Sequence, residues 1–200
     1  MLKLYHSPRT RSSRIVWLLE EFDQPYEIEY VGIRGNDGRT EADPRNPHPD
    51  GKVPALEHDG RLVTESIAIC LYLSDAFPEA GLGPQVGDPD RGDYLTWLAY
   101  YAGVIEPNVL AKATGWSDYS PTMAAWGSYD DMIRRLDRTL DDRPFVLGDR
   151  FSTVDVLLGS ALQFARGLFP DNPAYDAYAE RMGARPALQR ALQKDPRPDG

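Results

Sequence analysis

The stretch GKVPALEHDGRLVTESIAICLYLSDAFP, residues 51–78, reads as a hairpin running directly into a helix, and it decides the fold. Val53 to Glu57 and Arg61 to Val63 flank Asp59-Gly60, a two-residue turn of the kind that strand twist favours. Thr64 is placed to cap a helix over about 65–76, and Phe77-Pro78 stops it. Upstream, Leu2 to Tyr5 form a short apolar-rich strand ended by Ser7-Pro8. Ile15, Leu18, Leu19 and Phe22 then fall at i, i+3, i+4 and i+7, one stripe of an amphipathic helix. Ser12 or Ser13 can cap its start, and Gln24-Pro25 follows its end. Tyr26, Ile28 and Tyr30 alternate with Glu27 and Glu29, as in a half-buried second strand. Residues 32–50 are rich in Gly, Asn, Asp and Pro and read as a loop with room for a short helical turn. The order is β-α-β, then β-β-α, within residues 1–78: one sheet-plus-helices module.

Downstream, EAGLGPQVGDPD (79–90) reads as a Gly/Pro linker. Everything after it reads helical. Leu95, Leu98, Ala99, Ala102 and Ile105 make one long stripe, and Trp97, Tyr101 and Val104 a second. Tyr129, Ile133, Leu136 and Leu140 mark a further helix. The expectation is therefore two domains, 1–78 and 91–200. Lys194 to Gly200 is polar and proline-rich and is expected to fray.

The chain has 200 residues and a net charge of −9, which argues against a nucleic-acid backbone or an anionic membrane surface as partner. No run approaches the length of a membrane span, and Lys3, His6, Arg9 and Arg11 interrupt any signal-peptide core, so the cytoplasm is the expected location. The single cysteine, Cys70, excludes an internal disulfide and a C-x-x-C redox pair, and with three scattered histidines it supplies no zinc ligand set. Set among Ile67, Ile69 and Leu73, Cys70 reads as a packed core thiol.

Three segments could carry chemistry. In GKVPAL a cis Val53-Pro54 bond would turn the Val53 N–H and C=O outward, free to pair with an extended peptide; a trans proline opening an edge strand is the plainer alternative. Thr64-Glu65-Ser66 opens a helix, whose N-terminus seats a carboxylate, while Glu65 could meet an ammonium group. The plainer reading is capping alone. SPRTRSS (7–13) offers hydroxyls that could donate to a sulfur and favour its thiolate, although Ser12 and Ser13 read more simply as caps.

Together these residues resemble the cytosolic glutathione S-transferase family, in particular bacterial-type members with a serine- or threonine-like loop. YHSPRTRSSRIVWLLEEFDQPYE (5–27) is similar to the family's strand-loop-helix opening, and NPHPDGKVPALEHDG (46–60) to its cis-proline hairpin. LVTESIAICLYL (62–73) resembles its Glu-Ser helix, and FVLGDRFSTVDVLLGSAL (145–162) the capping segment of its helical domain. The resemblance implies an α+β thioredoxin-like domain followed by an all-α helical-bundle domain, glutathione as co-substrate without a metal, a role in detoxification, and a homodimer. It implies that Val53 pairs its backbone with the cysteinyl unit next to a cis Pro54, and that Glu65 and Ser66 hold the γ-glutamyl end. Lys52 is suitably charged for the glycyl carboxylate, with Arg34, His48 and Arg9 as alternatives.

The family activates the thiol with Tyr, Ser or Cys near the first strand. No cysteine lies there, so Thr10, standing where serine-type members place their hydroxyl, is the first candidate, with Ser12 second. Tyr5 reads as a buried strand residue. Tyr100, Tyr101, Val104, Trp116 and Tyr119 are candidates for an apolar electrophile pocket, or else for core between the domains. The function implied is transfer of glutathione, as its thiolate, to a hydrophobic electrophile or a peroxide. A non-catalytic carrier of glutathione or of a hydrophobic ligand is the alternative.

One further motif has a purely structural reading. Ser152 and Asp155 form an S-x-x-D capping box, and Phe151 and Val156 occupy the two staple positions around it.

Overall fold

The structure is a computed structural model that describes residues 1–35, 41–141 and 143–196. The part of the expected loop at 36–40 and the expected frayed end at 197–200 lie outside the described residues. Strand β1 (Leu2–His6) sits inside a four-stranded sheet of order β2-β1-β3-β4. It runs parallel to β2 (Tyr26–Tyr30), pairing Leu2 with Tyr26 and His6 with Tyr30. On its other edge it runs antiparallel to β3 (Ala55–His58), pairing Tyr5 with Ala55. β3 turns into β4 (Arg61–Thr64) through Asp59 and Gly60, at φ 49° and 78°. Two successive positive φ values are what a turn matching the strand twist requires, and Asp-Gly supplies them at low cost.

Helix α1 (Ser13–Phe22) crosses between the parallel strands and buries Ile15 to Leu19 and Phe22. Helix α2 (Ser66–Ala76) follows β4 and buries Ile69, Cys70 and Leu73, so Cys70 is a core thiol. Its start differs from the expected Thr64 cap. Thr64 remains in the ladder opposite Ala55, and Glu65 takes the N-cap position at φ 68°.

The chain divides into two units, residues 1–80 with 185–200, and 81–184. The first boundary falls two residues past the expected one. The far end differs more: residues 185–200 were expected in the helical domain and instead belong to the first unit. Helix α8 (Pro186–Gln193) buries Ala187, Leu188 and Ala191 and packs on α1. Charge holds it there. Arg185 Nε and Nη2 donate to the Glu21 carboxylate at 2.6 and 2.7 Å. Glu20 accepts from Arg190 Nε at 2.7 Å, Lys194 Nζ at 2.6 Å and the Tyr26 hydroxyl at 2.6 Å. The expectation that fraying begins at Lys194 is therefore corrected: Lys194 is tied to Glu20, and Asp195 is buried.

In the second unit α3 (Arg91–Tyr100) and α4 (Glu106–Thr114) are joined by a wide π turn over Tyr101–Ile105. The stripe from Leu95 to Ile105 was expected to lie along one regular helix. Pro107 has no N–H and would clash with the carbonyl four residues back, and the widened turn precedes it at once. Tyr94, Trp97, Leu98, Tyr101 and Ile105 form the buried seam, whereas Leu95, Ala99 and Ala102 of the expected stripe are exposed. Helices α5 (Tyr129–Leu140), α6 (Thr153–Ala165) and α7 (Pro173–Gly183) complete the unit. α6 is buried along Thr153 to Gly159, as the central helix of a bundle must be.

The expected capping box is present at its start. Asp155 Oδ2 accepts from Ser152 N at 2.8 Å and from Ser152 Oγ at 3.1 Å. Asp155 Oδ1 accepts from Val146 N and from the Tyr178 hydroxyl, each at 2.8 Å. Burial pushes the Asp155 carboxyl up, against the pull of these four bonds.

Candidate active site

Strand register places three segments at one end of the sheet. Tyr5 pairs with Ala55, which pairs with Thr64, so a single row of residues crosses β1, β3 and β4. One step beyond that row lie the loop after β1 (7–12), the turn into β3 (51–54) and the start of α2 (65–66). The sequence singled out all three, and the fold brings them to one edge.

The turn into β3 contains a cis Val53–Pro54 bond, one of the two alternatives left open by the sequence. Val53 lies just ahead of the ladder, and its side chain packs on Tyr5, Val31 and Ala55. The neighbouring Lys52 is exposed, and its carbonyl accepts from Asn46 Nδ2 at 3.0 Å. Asn46 and Asp43 are buried anchors of the preceding loop. Asp43 accepts from Arg45 and from Gly32 N at 2.9 Å, and these bonds hold its carboxyl well below the usual carboxylate range. Gly51 sits at φ 63°, and a Cβ there would lie 3.1 Å from the Ala42 Cβ. Arg34, like Lys52, is exposed; His48 is buried, with its Nδ1 accepting from Asp50 N at 3.1 Å.

At the start of α2, Glu65 is exposed and Ser66 half-buried. The Glu65 backbone, at φ 68° and ψ 123°, lies where a side chain with a Cβ is disfavoured. Such outliers concentrate where a residue must be aimed at something.

In the loop after β1 the hydroxyls are arranged differently from the expected helix caps. Ser12 occupies the N-cap position of α1 but makes no capping bond through its side chain. It is fully buried, with Oγ 2.7 Å from His6 Nδ1, 2.8 Å from Thr10 Oγ1 and 3.0 Å from the Ser7 carbonyl. Ser13 Oγ donates instead to Asp195 at 2.9 Å. Thr10 is half-buried, its hydroxyl 2.7 Å from the Ser7 carbonyl. Tyr5 is packed as expected: its hydroxyl donates to Glu57 at 3.2 Å, and burial, reinforced by that bond, pushes its pKa up. A raised pKa makes it a poorer proton donor to a thiolate.

Two residues here escaped the sequence reading, His6 and Asp195. His6 ends β1 with no exposed surface, and its Nε2 lies 3.1 Å from Asp195 Oδ1. The two are 189 positions apart, and no periodicity or motif links them.

In the second unit the five candidate pocket residues fall into separate groups. Trp116 and Tyr119 stack with Trp126, ring centroids 5.5 to 5.9 Å apart. Tyr100 packs against Trp97 and under the Arg135 guanidinium, 4.0 Å from the ring. Tyr101 is buried and its hydroxyl donates to Glu106 at 3.0 Å, while Val104 is half-buried. Among the described residues no group of His, Cys, Asp and Glu side chains could hold a metal.

Residues 9–76 match the model of the glutathione S-transferase N-terminal domain, and residues 122–193 that of its C-terminal domain. A solved glutathione transferase from Methylococcus capsulatus str. Bath is 31% identical, with 98% of each chain covered and a TM-score of 0.76. The chain belongs to the glutathione S-transferase family. A sphingomonad glutathione S-transferase solved with glutathione is 30% identical, covering 96% of this chain and 98% of that one at a TM-score of 0.77. Glutathione S-transferase GstA of Escherichia coli O157:H7 is 27% identical across 97% of this chain and 98% of its own length. As a glutathione S-transferase, the protein carries hydroxyls and no thiol in its first loop, since Cys70 is buried in α2. No helix among its described residues is long and apolar enough to cross a membrane.

Proposed function

We propose that this glutathione S-transferase binds glutathione at the sheet end where the three segments meet, and ionises its thiol for attack on a hydrophobic electrophile or a peroxide. The observation that carries the reading is the shared row Tyr5–Ala55–Thr64, which sets the three segments side by side. The Val53 main chain, ahead of the ladder, pairs with the cysteinyl unit as an added strand would. Ser66 and the N-terminal amides of α2 take the γ-glutamyl carboxylate, and Glu65, aimed by its unusual backbone, meets the ammonium group. Exposed Lys52 takes the glycyl carboxylate.

Thr10 is the hydroxyl that donates to the sulfur. Ser12 is buried behind it and supports it. A free thiol has a pKa near 8.5, and each unit of depression takes about 1.4 kcal/mol of preferential stabilisation. One hydrogen bond to a charged acceptor supplies about 1.5–3 kcal/mol, enough for about one to two units. The sulfur lone pair forms the new bond to the electrophile, and the electrons of the bond it breaks leave with the departing group. The protein works as a homodimer in the cytoplasm.

Isothermal titration of reduced glutathione into wild type and the Glu65→Ala/Ser66→Ala double variant tests the site. Saturable binding lost in the variant is expected; no wild-type binding up to about 10 mM refutes it. In Thr10→Val the thiol pKa of bound glutathione, read from thiolate absorbance, is expected to rise by about one to two units. An unchanged thiol pKa would move the donor elsewhere.

A further inference from the structure

We propose that Asp195, close to the end of the chain, clamps the main chain of the loop after β1 and so positions Thr10 at the candidate site. The role is one of backbone placement, and its bearing on catalysis rests on Thr10 being the hydroxyl that contacts the thiol.

The loop contains a conformation that has to be held. Arg9, immediately before Thr10, has φ 60°, in the left-handed region that a residue with a Cβ avoids. Such a backbone persists only where the surroundings over-determine it. The Arg9 side chain is exposed, so the grip on this residue comes through its main chain. Its amide donates at 2.9 Å to Asp195 Oδ1, 186 positions further along. Ser13 Oγ donates to the same oxygen at 2.9 Å. One carboxylate oxygen thus joins residues 9 and 13, on either side of Thr10 and Ser12. Within that span the bonds are local. Thr10 Oγ1 and Ser12 Oγ lie 2.7 and 3.0 Å from the Ser7 carbonyl, and Ser13 N donates to the Thr10 carbonyl at 3.0 Å. These bonds fold the loop on itself, and Asp195 fixes where the folded loop sits.

Asp195 can serve as an anchor because it is itself held. It is only 6% exposed, and Lys194 before it is tied on three sides. The Lys194 amide donates to the Ala191 carbonyl at 3.0 Å, its carbonyl accepts from the Tyr30 hydroxyl at 3.0 Å, and its Nζ donates to Glu20 at 2.6 Å. Those ties run to α8, β2 and α1, three elements of the first unit. With the carboxylate gone, Arg9 can relax to negative φ, which rotates the peptide leading into Thr10. The loop is then competent for only part of the time, and stabilisation of the thiolate falls with that fraction.

The test uses the full chain as wild type, Asp195→Ala, Asp195→Asn, and Asp195→Ala combined with Arg9→Gly. Hydrogen exchange of the Arg9 amide, followed by NMR without glutathione, reads the clamp. Protection is expected in wild type, with a loss of at least about tenfold in Asp195→Ala. The thiol pKa of bound glutathione, from thiolate absorbance, should rise by about 0.5 to 1 unit in Asp195→Ala. That is about a three- to tenfold loss of thiolate at a pH below the pKa. Binding of S-methylglutathione, which has no thiol to ionise, should change less than about twofold. Asparagine keeps an acceptor oxygen for both donors and should hold the wild-type thiol pKa. Glycine takes positive φ without strain, so Arg9→Gly in the Asp195→Ala background should bring the thiol pKa back toward wild type. A general loss of stability would instead be deepened by glycine. An Arg9 amide that exchanges freely in wild type, or no faster in Asp195→Ala, overturns the proposal. So does a thiol pKa shift that glycine fails to reduce. If Thr10→Val moves the thiol pKa and Asp195→Ala does not, the clamp alone has failed. If Thr10→Val leaves it unmoved, the thiol-contact reading has failed and the proposal falls with it.

Discussion

Replacing Asp155 by alanine removes one carboxylate and strands four donors: Ser152 N, Ser152 Oγ, Val146 N and the Tyr178 hydroxyl. All four bonds are buried. The two hydroxyls can rotate in search of another partner, but the two amides cannot. Each orphaned buried donor costs about 1–3 kcal/mol, so the amides alone predict a loss of about 2–6 kcal/mol. The loss is moderated because wild type already carries the desolvation of this carboxyl, seen in its raised pKa, which alanine relieves. With up to four neutral donors orphaned and part of that offset, the expected net is about 3–5 kcal/mol. Ser152→Ala deletes the hydroxyl's part of the capping box, its bond to the Asp155 carboxylate and the one it accepts from the Asp155 amide, and should cost about 0.5–2 kcal/mol. Urea unfolding, followed by far-ultraviolet circular dichroism and tryptophan fluorescence, separates the two. With a slope of about 1–3 kcal/mol/M, the Asp155→Ala midpoint should fall by at least about 1 M and that of Ser152→Ala by much less. Equal midpoints for the two variants would refute the reasoning, because they would mean that the carboxylate organises nothing beyond its own helix end.

Two other perturbations test the first unit. Burial raises the Glu20 pKa, but its bonds from Lys194, Tyr26 and Arg190 lower it further, so the net shift is downward. A depressed carboxyl stabilises the fold above its unfolded pKa of about 4.3 and loses that contribution as pH falls through the folded value. Hydrogen-exchange protection factors in α8, corrected for the intrinsic pH dependence of amide exchange, are thus expected to fall as pH drops below about 4, and Glu20→Gln should lower them at neutral pH as well. Protection factors that stay constant from pH 7 to 3 would contradict this. Gly51→Ala forces a Cβ onto a φ of 63° and to within 3.1 Å of the Ala42 Cβ. It is expected to lower stability by more than about 1 kcal/mol and to weaken glutathione binding, read together by thermal unfolding and calorimetry.

What the sequence made legible was local. Asp59-Gly60 announced its hairpin because a two-residue turn has few solutions. The α1 stripe and the Ser152–Asp155 box announced themselves because their partners lie within one or two helical turns. The three segments of the candidate site were likewise found one by one, each from its own turn or cap chemistry. What stayed hidden depended on distant partners. Ser12 looked like a cap, and only the buried His6 beside it explains why its hydroxyl turns away from α1. Lys194 and Asp195 looked like a loose end because polar, proline-rich composition says nothing of Glu20 or His6, which lie near the other end of the chain. Glu65 in a left-handed backbone was illegible because nothing but the tie between Thr64 and Ala55 forces the turn one residue later.

The return of residues 185–195 to the first unit gives the protein a nested topology: residues 81–184 are an insertion within a domain that closes only at its far end. On the ribosome, the first eighty residues emerge early but cannot be completed until the last segment does. Until then the α1 surface that receives Ala187, Leu188 and Ala191 stands open, and Glu20 and Glu21 have no cationic counterparts from α8. Synthesis order and assembly order are thus reversed for the two halves, and the first part to be made is the last to be finished.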